Sequence, residues 1–479
     1  MHPLAVLDHR YVWHPFTQMR DWLRREPIVI VKGQGAELKD IHGKTYLDAN
    51  SSIWTNLHGH RHPRMNAAIQ KQLGKIAHSS ALGFANEPAS ILAKRLIDAA
   101  NRGNASTTGA RRPPEIAKIF FSDDGSTAME AALKLAHEFT RRTRGDRRPR
   151  FLSLKGAYHG DTVGAVSLGH IDLFHSKFSG LLFKTDAVPA PYCYRCPFNR
   201  AKPQRADARL SRKCNWECVD GLARAFSRRK GATPYAAFIF EPLMQGAAGM
   251  IAQPSGWLRR AAEIARSHGA LLIADEVMTA FGRAGDASKR GNLFACQRET
   301  VRPDFIACAK GLTGGYLPMA ATLVTQRIFD AFLGEYSEFK TFFHGHSYTG
   351  NQLGAAAAIA SMDLLETTAS LRSRKAIEDA MASGLERLWT SKFVGDIRRV
   401  GLMAGVELVK DWRTREAFQL HEQAGIRVCE KMAEKGVLTR PIGNVIVLMP
   451  PYCTSPAQVE KTIQVLQESV AAVFGSGSS

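Results

Sequence analysis

The stretch "PDFIACAKGLTGGYLPMA", Pro303 to Ala320, sets Lys310 directly after the apolar run Phe305-Ile306-Ala307-Cys308-Ala309 and directly before a loop holding Gly311, Gly314 and Gly315. The run reads as a buried strand, and a strand end of that kind is a poor place for a hydrated ammonium, because desolvation disfavours the charged form. The amine is therefore read as neutral or covalently engaged. Outward from it, apolar segments of strand length alternate with amphipathic helical ones. Strands are predicted at "IAKIFFS" (116–122), "RFLSLKG" (150–156), "AAFIFEPL" (236–243), "ALLIADEV" (270–277), "DFIACAKG" (304–311) and "MAATLVT" (319–325). Helices are predicted over 127–142 and 256–269. Near-continuous apolar strands separated by helices favour an α/β fold whose mostly parallel sheet is buried on both faces, as in a three-layer domain.

Beyond residue 355, "AAAAIASMDLLE" begins a long helix, and the remainder reads as a smaller α+β lobe ending in "NVIVLMPPY". The first 60 or so residues read as an irregular arm packed onto both lobes. The expected organisation is an N-terminal arm and part of the small lobe over 1–60, a large cofactor-binding domain over 61–350, and a linking helix with the C-terminal small lobe over 351–479. A cysteine-containing insert occupies 192–218 of the large domain.

The chain of 479 residues is long enough for a large core and more than one lobe. Its 64 Lys and Arg against 44 Asp and Glu give a net charge of +20. These basic residues are scattered or form short clusters such as Arg141-Arg142, Arg147-Arg148 and Arg228-Arg229-Lys230, without a recognition motif or interleaved aromatics, so a solvated basic surface is expected and no nucleic acid. The start, "MHPLAVLDHRYVWHPF", lacks the basic start and apolar core of a signal peptide, and no run approaches the length that spans a bilayer. These features predict a soluble cytoplasmic protein without a membrane partner, disordered only at ends such as Gly475 to Ser479.

Three further segments belong with Lys310. In "FFSDDGSTAMEAALK", Gly125, Ser126 and Thr127 open a helix, Thr127 and Glu130 fit a capping box, and the exposed amides and hydroxyls make a phosphate cradle. In "LLIADEV", Asp275 and Glu276 end an apolar strand where α/β ligands bind, but neighbours on a strand point to opposite faces, which counts against a two-carboxylate glycosidase. In "KGAYHGDT", Tyr158 and His159 offer flat side chains at another strand end. A cradle, an aromatic plate, a carboxylate and a lysine at neighbouring strand ends match what pyridoxal phosphate needs: a covalent partner for its aldehyde, an acid to hold the ring proton, and a cover for one face. Cys193, Cys196, Cys214 and Cys218 have spacing that could bind zinc, set against an inserted surface loop with packed or free thiols; a cytoplasmic location argues against stable disulfides.

"SDDGSTAMEAALKLA", "AYHGDT", "IFEPLMQGAAGM", "LLIADEVMTAFGR", "CAKGLTGGYLP" and "HGHSYTGN" resemble the class-III aminotransferases of fold type I over nearly the whole chain. "WHPFTQM" (13–19), "SSIWTNLHGH" (51–60), "KTFFHGHSYTGNQLG" (340–354) and "LTRPIGNVIVLMPPY" (438–452) are similar, more narrowly, to the branch that aminates 8-amino-7-oxononanoate in biotin synthesis. The resemblance implies a large α/β domain with a smaller lobe built from both chain ends. It makes Lys310 the residue joined to pyridoxal 5'-phosphate and the proton carrier, Asp275 the partner of the ring nitrogen, and Tyr158 the stacking residue that touches substrate. Gly125 and Ser126 would hold the phosphate, with His346 and Ser347 reaching it from a second subunit, so a homodimer with shared active sites is implied. Phe16, Ile53, Trp54, Gly345 and Arg440 would contact substrate, Arg440 through its distal carboxylate, with Asp161 and Arg283 behind them. No metal is needed for this chemistry. The same fold hosts enzymes of ω-amino acids or diamines, aminomutases and a decarboxylase; the aminomutases and the decarboxylase would not carry the "WHPF" and "TRPIGN" segments. The best-known form of the branch uses S-adenosylmethionine as donor and has a tyrosine where Phe16 stands and a tryptophan pair where Ile53 and Trp54 stand. Those departures resemble members that use lysine, leaving both donors open.

Overall fold

The computed structural model describes residues 1–102, 115–228, 234–284 and 292–475. The expected disordered tail falls mostly at 476–479, outside the described residues. The central sheet has seven strands in the order Ile116–Ser122, Ala320–Thr325, Phe305–Cys308, Leu271–Asp275, Tyr235–Phe240, Arg150–Leu154 and Asp186–Val188. Six lie where the apolar runs put them. The seventh, Asp186–Val188, is too short for an apolar run to announce it. Only Ala320–Thr325 runs antiparallel to its neighbours. Tyr235–Phe240, Leu271–Asp275 and Phe305–Cys308 are buried along their whole length, as strands covered on both faces must be. Their register sets Ile273 level with Phe305 on one side and with Ile239 on the other, so their carboxyl ends finish together.

One face is covered by the helix Gly125–Arg144, whose alanines and Phe139 are buried against the sheet. Its start is fixed by Asp124, which accepts from Thr127 N at 2.9 Å while Thr127 Oγ1 accepts from Asp124 N at 3.0 Å. The capping box is therefore Asp124 with Thr127, three residues earlier than the sequence pattern suggested. Glu130 is freed to accept from Gly164 N at 2.7 Å. On the other face Gln352–Leu365, rich in alanine, packs against Pro63–Leu73, Glu87–Asn101 and the turn Lys310–Thr313.

The N-terminal segment is not an irregular arm. Ile30–Gln34, Glu37–Asp40 and Thr45–Asp48 form a sheet, and Val437–Leu438 joins it parallel to Thr45–Asp48. The two chain ends thus build one lobe, beside a second sheet of Val394–Val400, Met403–Leu408, Val445–Leu448 and Pro441–Ile442. The cysteine insert is irregular with free thiols, and one side of it is anchored rather than loose. Cys193 and Tyr194 are buried, Tyr192 and Arg195 bond Glu407, and Arg205 Nη1 donates to Val394 O at 2.7 Å, all on that second sheet. Among the described residues no helix is long and apolar enough to cross a membrane.

Candidate active site

Five strand ends open onto a cavity of about 430 Å³. The strand Phe305–Cys308 delivers Lys310, whose backbone is bent to φ +23° and whose amine lies 5.3 Å over the Trp54 ring. Burial pushes the Lys310 amine below its ordinary range, against the opposing pull of Asp275 and Glu241. That direction agrees with an amine held partly neutral.

The strand Leu271–Asp275 delivers Asp275, 5% exposed, with Oδ2 at 2.7 Å from His159 Nδ1 and Oδ1 accepting from Val277 N at 3.0 Å. Glu276 faces the other way and accepts from Ala295 N at 2.6 Å and Cys296 N at 2.8 Å. Burial lifts its carboxyl to about 7, those donors opposing. The strand Arg150–Leu154 leads to Tyr158 and His159. Tyr158 donates its hydroxyl to Asp161 at 2.7 Å, and burial together with that carboxylate raises its pKa. Gly160 then turns at φ +120°, where a Cβ would stand 2.1 Å from Ser126 Oγ; only glycine lets this loop descend onto the helix start. There Asp161 N donates to Ser126 Oγ at 3.2 Å, and Gly125 and Ser126 line the cavity at the positive end of a 20-residue helix.

Not every expected residue lines this cavity. Trp54 does; Phe16, Ile53 and Arg440 do not. Arg440 Nη2 nevertheless donates to Phe16 O at 3.3 Å, and the Phe16 ring is linked through Phe174 (5.3 Å) to Tyr158 (6.3 Å), so these two residues stand at the cavity's outer approach. Gly345, His346 and Ser347 also stand outside the cavity of their own chain, with His346 Nδ1 at 3.3 Å from Asp123 Oδ2. Sequence reasoning missed Glu241, which follows the apolar strand Tyr235–Phe240 as Asp275 ends its own. Glu241 accepts from Tyr158 N at 3.1 Å and Gly246 N at 2.7 Å, and burial lifts its carboxyl to about 7. It missed Phe174 as well, which has no signal apart from its neighbours in space. All eight cysteines are free, and among the described residues no group of three or more His, Cys, Asp or Glu side chains is arranged to hold a metal.

A lysine amine facing a buried carboxylate, with an open helix start beside them, has the donor set that suits pyridoxal 5'-phosphate: Gly125 and Ser126 could take the phosphate, Asp275 the ring nitrogen and Lys310 the aldehyde. The chain belongs to the class-III aminotransferases, whose family model matches residues 19–470, and it is accordingly a pyridoxal-phosphate-dependent transaminase. Adenosylmethionine-8-amino-7-oxononanoate aminotransferase of Geobacter sulfurreducens is 45% identical over 468 residues, covering 98% of this chain and 97% of that one. The enzyme of the same name from Methanocaldococcus jannaschii is 40% identical over 472 residues, with 98% and 97% covered. A crystal structure of the Methanocaldococcus jannaschii enzyme matches with a TM-score of 0.87 at 38% identity over 98% of each chain. An amine transaminase from an uncultivated Pseudomonas species, solved in its pyridoxal-phosphate-bound form, is 32% identical, with a TM-score of 0.83 over 97% of this chain and 98% of its own.

Proposed function

We propose that this chain transfers an amino group to 8-amino-7-oxononanoate to give 7,8-diaminononanoate, the step of biotin synthesis for which its relatives are named. The observation that carries the reading is the meeting of Arg440 with Phe16 at the cavity's outer approach. It joins the "WHPFTQM" and "LTRPIGN" segments, 424 residues apart, and gives a long apolar acceptor a cation at its far end. Pyridoxal phosphate, when bound, supplies an aldehyde that exchanges amines and a ring that accepts the electron pair released at the reacting carbon. Lys310 Nζ would take the proton from the donor's carbon and pass it to the cofactor carbon that carried the aldehyde, and would move a proton the opposite way in the second half-reaction, for which its lowered pKa suits it. Asp275 would hold the proton on the ring nitrogen of the bound cofactor, and His159, 2.7 Å away, fixes the carboxylate for that role. Trp54 and Tyr158 cover the reacting end from water.

Gly345, His346 and Ser347 act in this reading on the cavity of a second subunit, which makes the active form a homodimer. The likeness of the "HGHSYTGN" segment to the family segment that reaches across the subunit boundary supports it. Eight free thiols suit a cytoplasmic enzyme. The test is to mix the cofactor-loaded protein with 8-amino-7-oxononanoate and an amino donor and to measure 7,8-diaminononanoate. Parallel double-reciprocal lines are expected as donor and acceptor are varied. Product from other ω-amino substrates but none from this acceptor would overturn the assignment, and amino transfer within one molecule without an external acceptor would make the chain an aminomutase.

A further inference from the structure

Four consecutive non-glycine residues, Ser51, Ser52, Ile53 and Trp54, have φ of +49°, +47°, +62° and +70°. L-residues visit this region singly, not in runs, and a β-branched residue there is an outlier. Such a run persists only where its surroundings over-determine it, and here they do. Asp48 accepts from Ser52 N at 2.9 Å and from Ser52 Oγ at 2.8 Å. Ser51 Oγ donates to Met449 O at 2.7 Å and accepts from Arg283 Nη2 at 2.8 Å. The Arg283 guanidinium, buried and 4.8 Å over the Tyr452 ring, also donates to Asn56 O at 3.1 Å and Pro450 O at 2.5 Å. One side chain thus ties Ser51, at the start of the left-handed turn, and Asn56, two residues past its end, to the 449–452 segment. The exit of the turn is Trp54, which lines the cavity, faces the Lys310 amine, and lies so close to Gly246 that a Cβ there would stand 3.3 Å from its ring.

We propose that Ser51–Trp54 is a strained positioning device, in which Arg283, Ser51 and Asp48 hold the backbone left-handed and the backbone holds the Trp54 indole against Lys310. It rests on the reading of Lys310 as the reacting amine. Trp54 touches the reacting group; Arg283 is a positioning residue that acts through Ser51. An ordinary linker at this point has no need of a left-handed run, whereas an indole set by three separate anchors arrives at the cavity with little freedom to turn.

The test compares Ile53→Gly with Ile53→Ala. Both remove the same exposed side chain, and only glycine relieves the backbone. Ile53→Gly is expected to melt about 1–3 °C above Ile53→Ala. Its KM for 8-amino-7-oxononanoate should be about five to ten times higher than that of Ile53→Ala, with kcat within about threefold, because the freed indole no longer shapes the pocket before substrate arrives. Equal melting temperatures would show that no strain is stored. A higher melting temperature with unchanged KM would leave the strain without a positioning role; either result overturns the proposal. Arg283→Lys, where it folds, should raise KM in the same direction while melting lower. The melting comparison needs no substrate. Failure of the unmodified chain to aminate the acceptor would therefore count against the function, and the KM comparison would then be made on donor-driven bleaching of the bound cofactor's absorbance, with S-adenosylmethionine and lysine as probes.

Discussion

His159 Nδ1 lies 2.7 Å from Asp275 Oδ2, with both side chains closed to solvent. The carboxylate is an acceptor, so the imidazole proton sits on Nδ1, and the pair fixes which Asp275 oxygen is left for a ligand. Asp275→Asn keeps the shape but offers an amide that cannot hold a ring proton and that competes with His159 as a donor. Its kcat should fall at least about a thousandfold. Lys310→Ala should fall by several orders of magnitude while still binding the cofactor through phosphate and ring contacts. Steady-state rates and cofactor retention on a desalting column read both variants; near-normal turnover by either would refute the assigned roles.

The buried network that seats the cysteine insert gives a stability prediction. Glu407 accepts from Arg398 Nη1 at 2.6 Å and from Arg195 Nη2 at 2.7 Å. Burial would raise its carboxyl, but Arg398 and Arg195 hold it below the ordinary range. Arg398 also donates to Gly249 O at 2.6 Å and Met250 O at 2.9 Å, so the network reaches the loop that runs past Trp54. Glu407→Gln leaves the buried Arg398 with Asp396 alone as countercharge, at 2.9 Å, and the partly exposed Arg195 with none, and should destabilise the chain by about 3 kcal/mol. Denaturant unfolding measures this directly, and a change below about 1 kcal/mol would mean the insert is seated by apolar contacts instead.

Lys310 and Asp275 were legible because each is a charged group at the end of an apolar run, where nothing but chemistry or a buried partner keeps it. Glu241 carried the same signal after "FIF" and went unread. The N-terminal strands were not legible: Ile30–Gln34 is mostly exposed, and Val437–Leu438, which completes its sheet, lies some 400 residues away in the chain. The seating of the insert depends on Glu407 and Arg398, equally remote in sequence. The left-handed turn at 51–54 contains no glycine to announce it, since the clamp that stabilises it is tertiary. The likeness of the two chain ends to one enzyme branch was legible in advance, and the bond from Arg440 to Phe16 gives it a physical form.

Glu276 supplies a pH dependence. Its ordinary value is 4.5 and burial lifts it to about 7 in the folded chain. A carboxyl raised on folding binds its proton more tightly in the native state, so its contribution is full below about 4.5 and is lost as pH rises through 7. The shift corresponds to something on the order of 3 kcal/mol. Glu276→Gln cannot ionise. It should be less stable at every pH, because its amide cannot accept from both Ala295 N and Cys296 N, and its melting temperature should decline less between pH 5 and 7.5 than that of the unmodified chain. An undiminished decline would place the titration elsewhere.

The choice of donor is tested at Phe16 and Ile53, beside the Trp54 face. That indole faces the Lys310 amine at 5.3 Å, and its π face suits a donor with a cation near its reacting end, whether the sulfonium of S-adenosylmethionine or the ε-ammonium of lysine. The relatives are named for the first. Phe16 lacks a phenol hydroxyl, however, and Ile53, exposed on the turn, supplies no second indole to stack an adenine. Each loss is worth roughly 1 kcal/mol, together about tenfold or more in donor choice. A single-turnover assay that follows the bound cofactor's absorbance with each donor alone should therefore find lysine the more efficient at equal concentration. Phe16→Tyr should shift the ratio toward S-adenosylmethionine by about fivefold. If S-adenosylmethionine reacts at least as efficiently as lysine, and Phe16→Tyr leaves the ratio unmoved, these two positions do not set the donor.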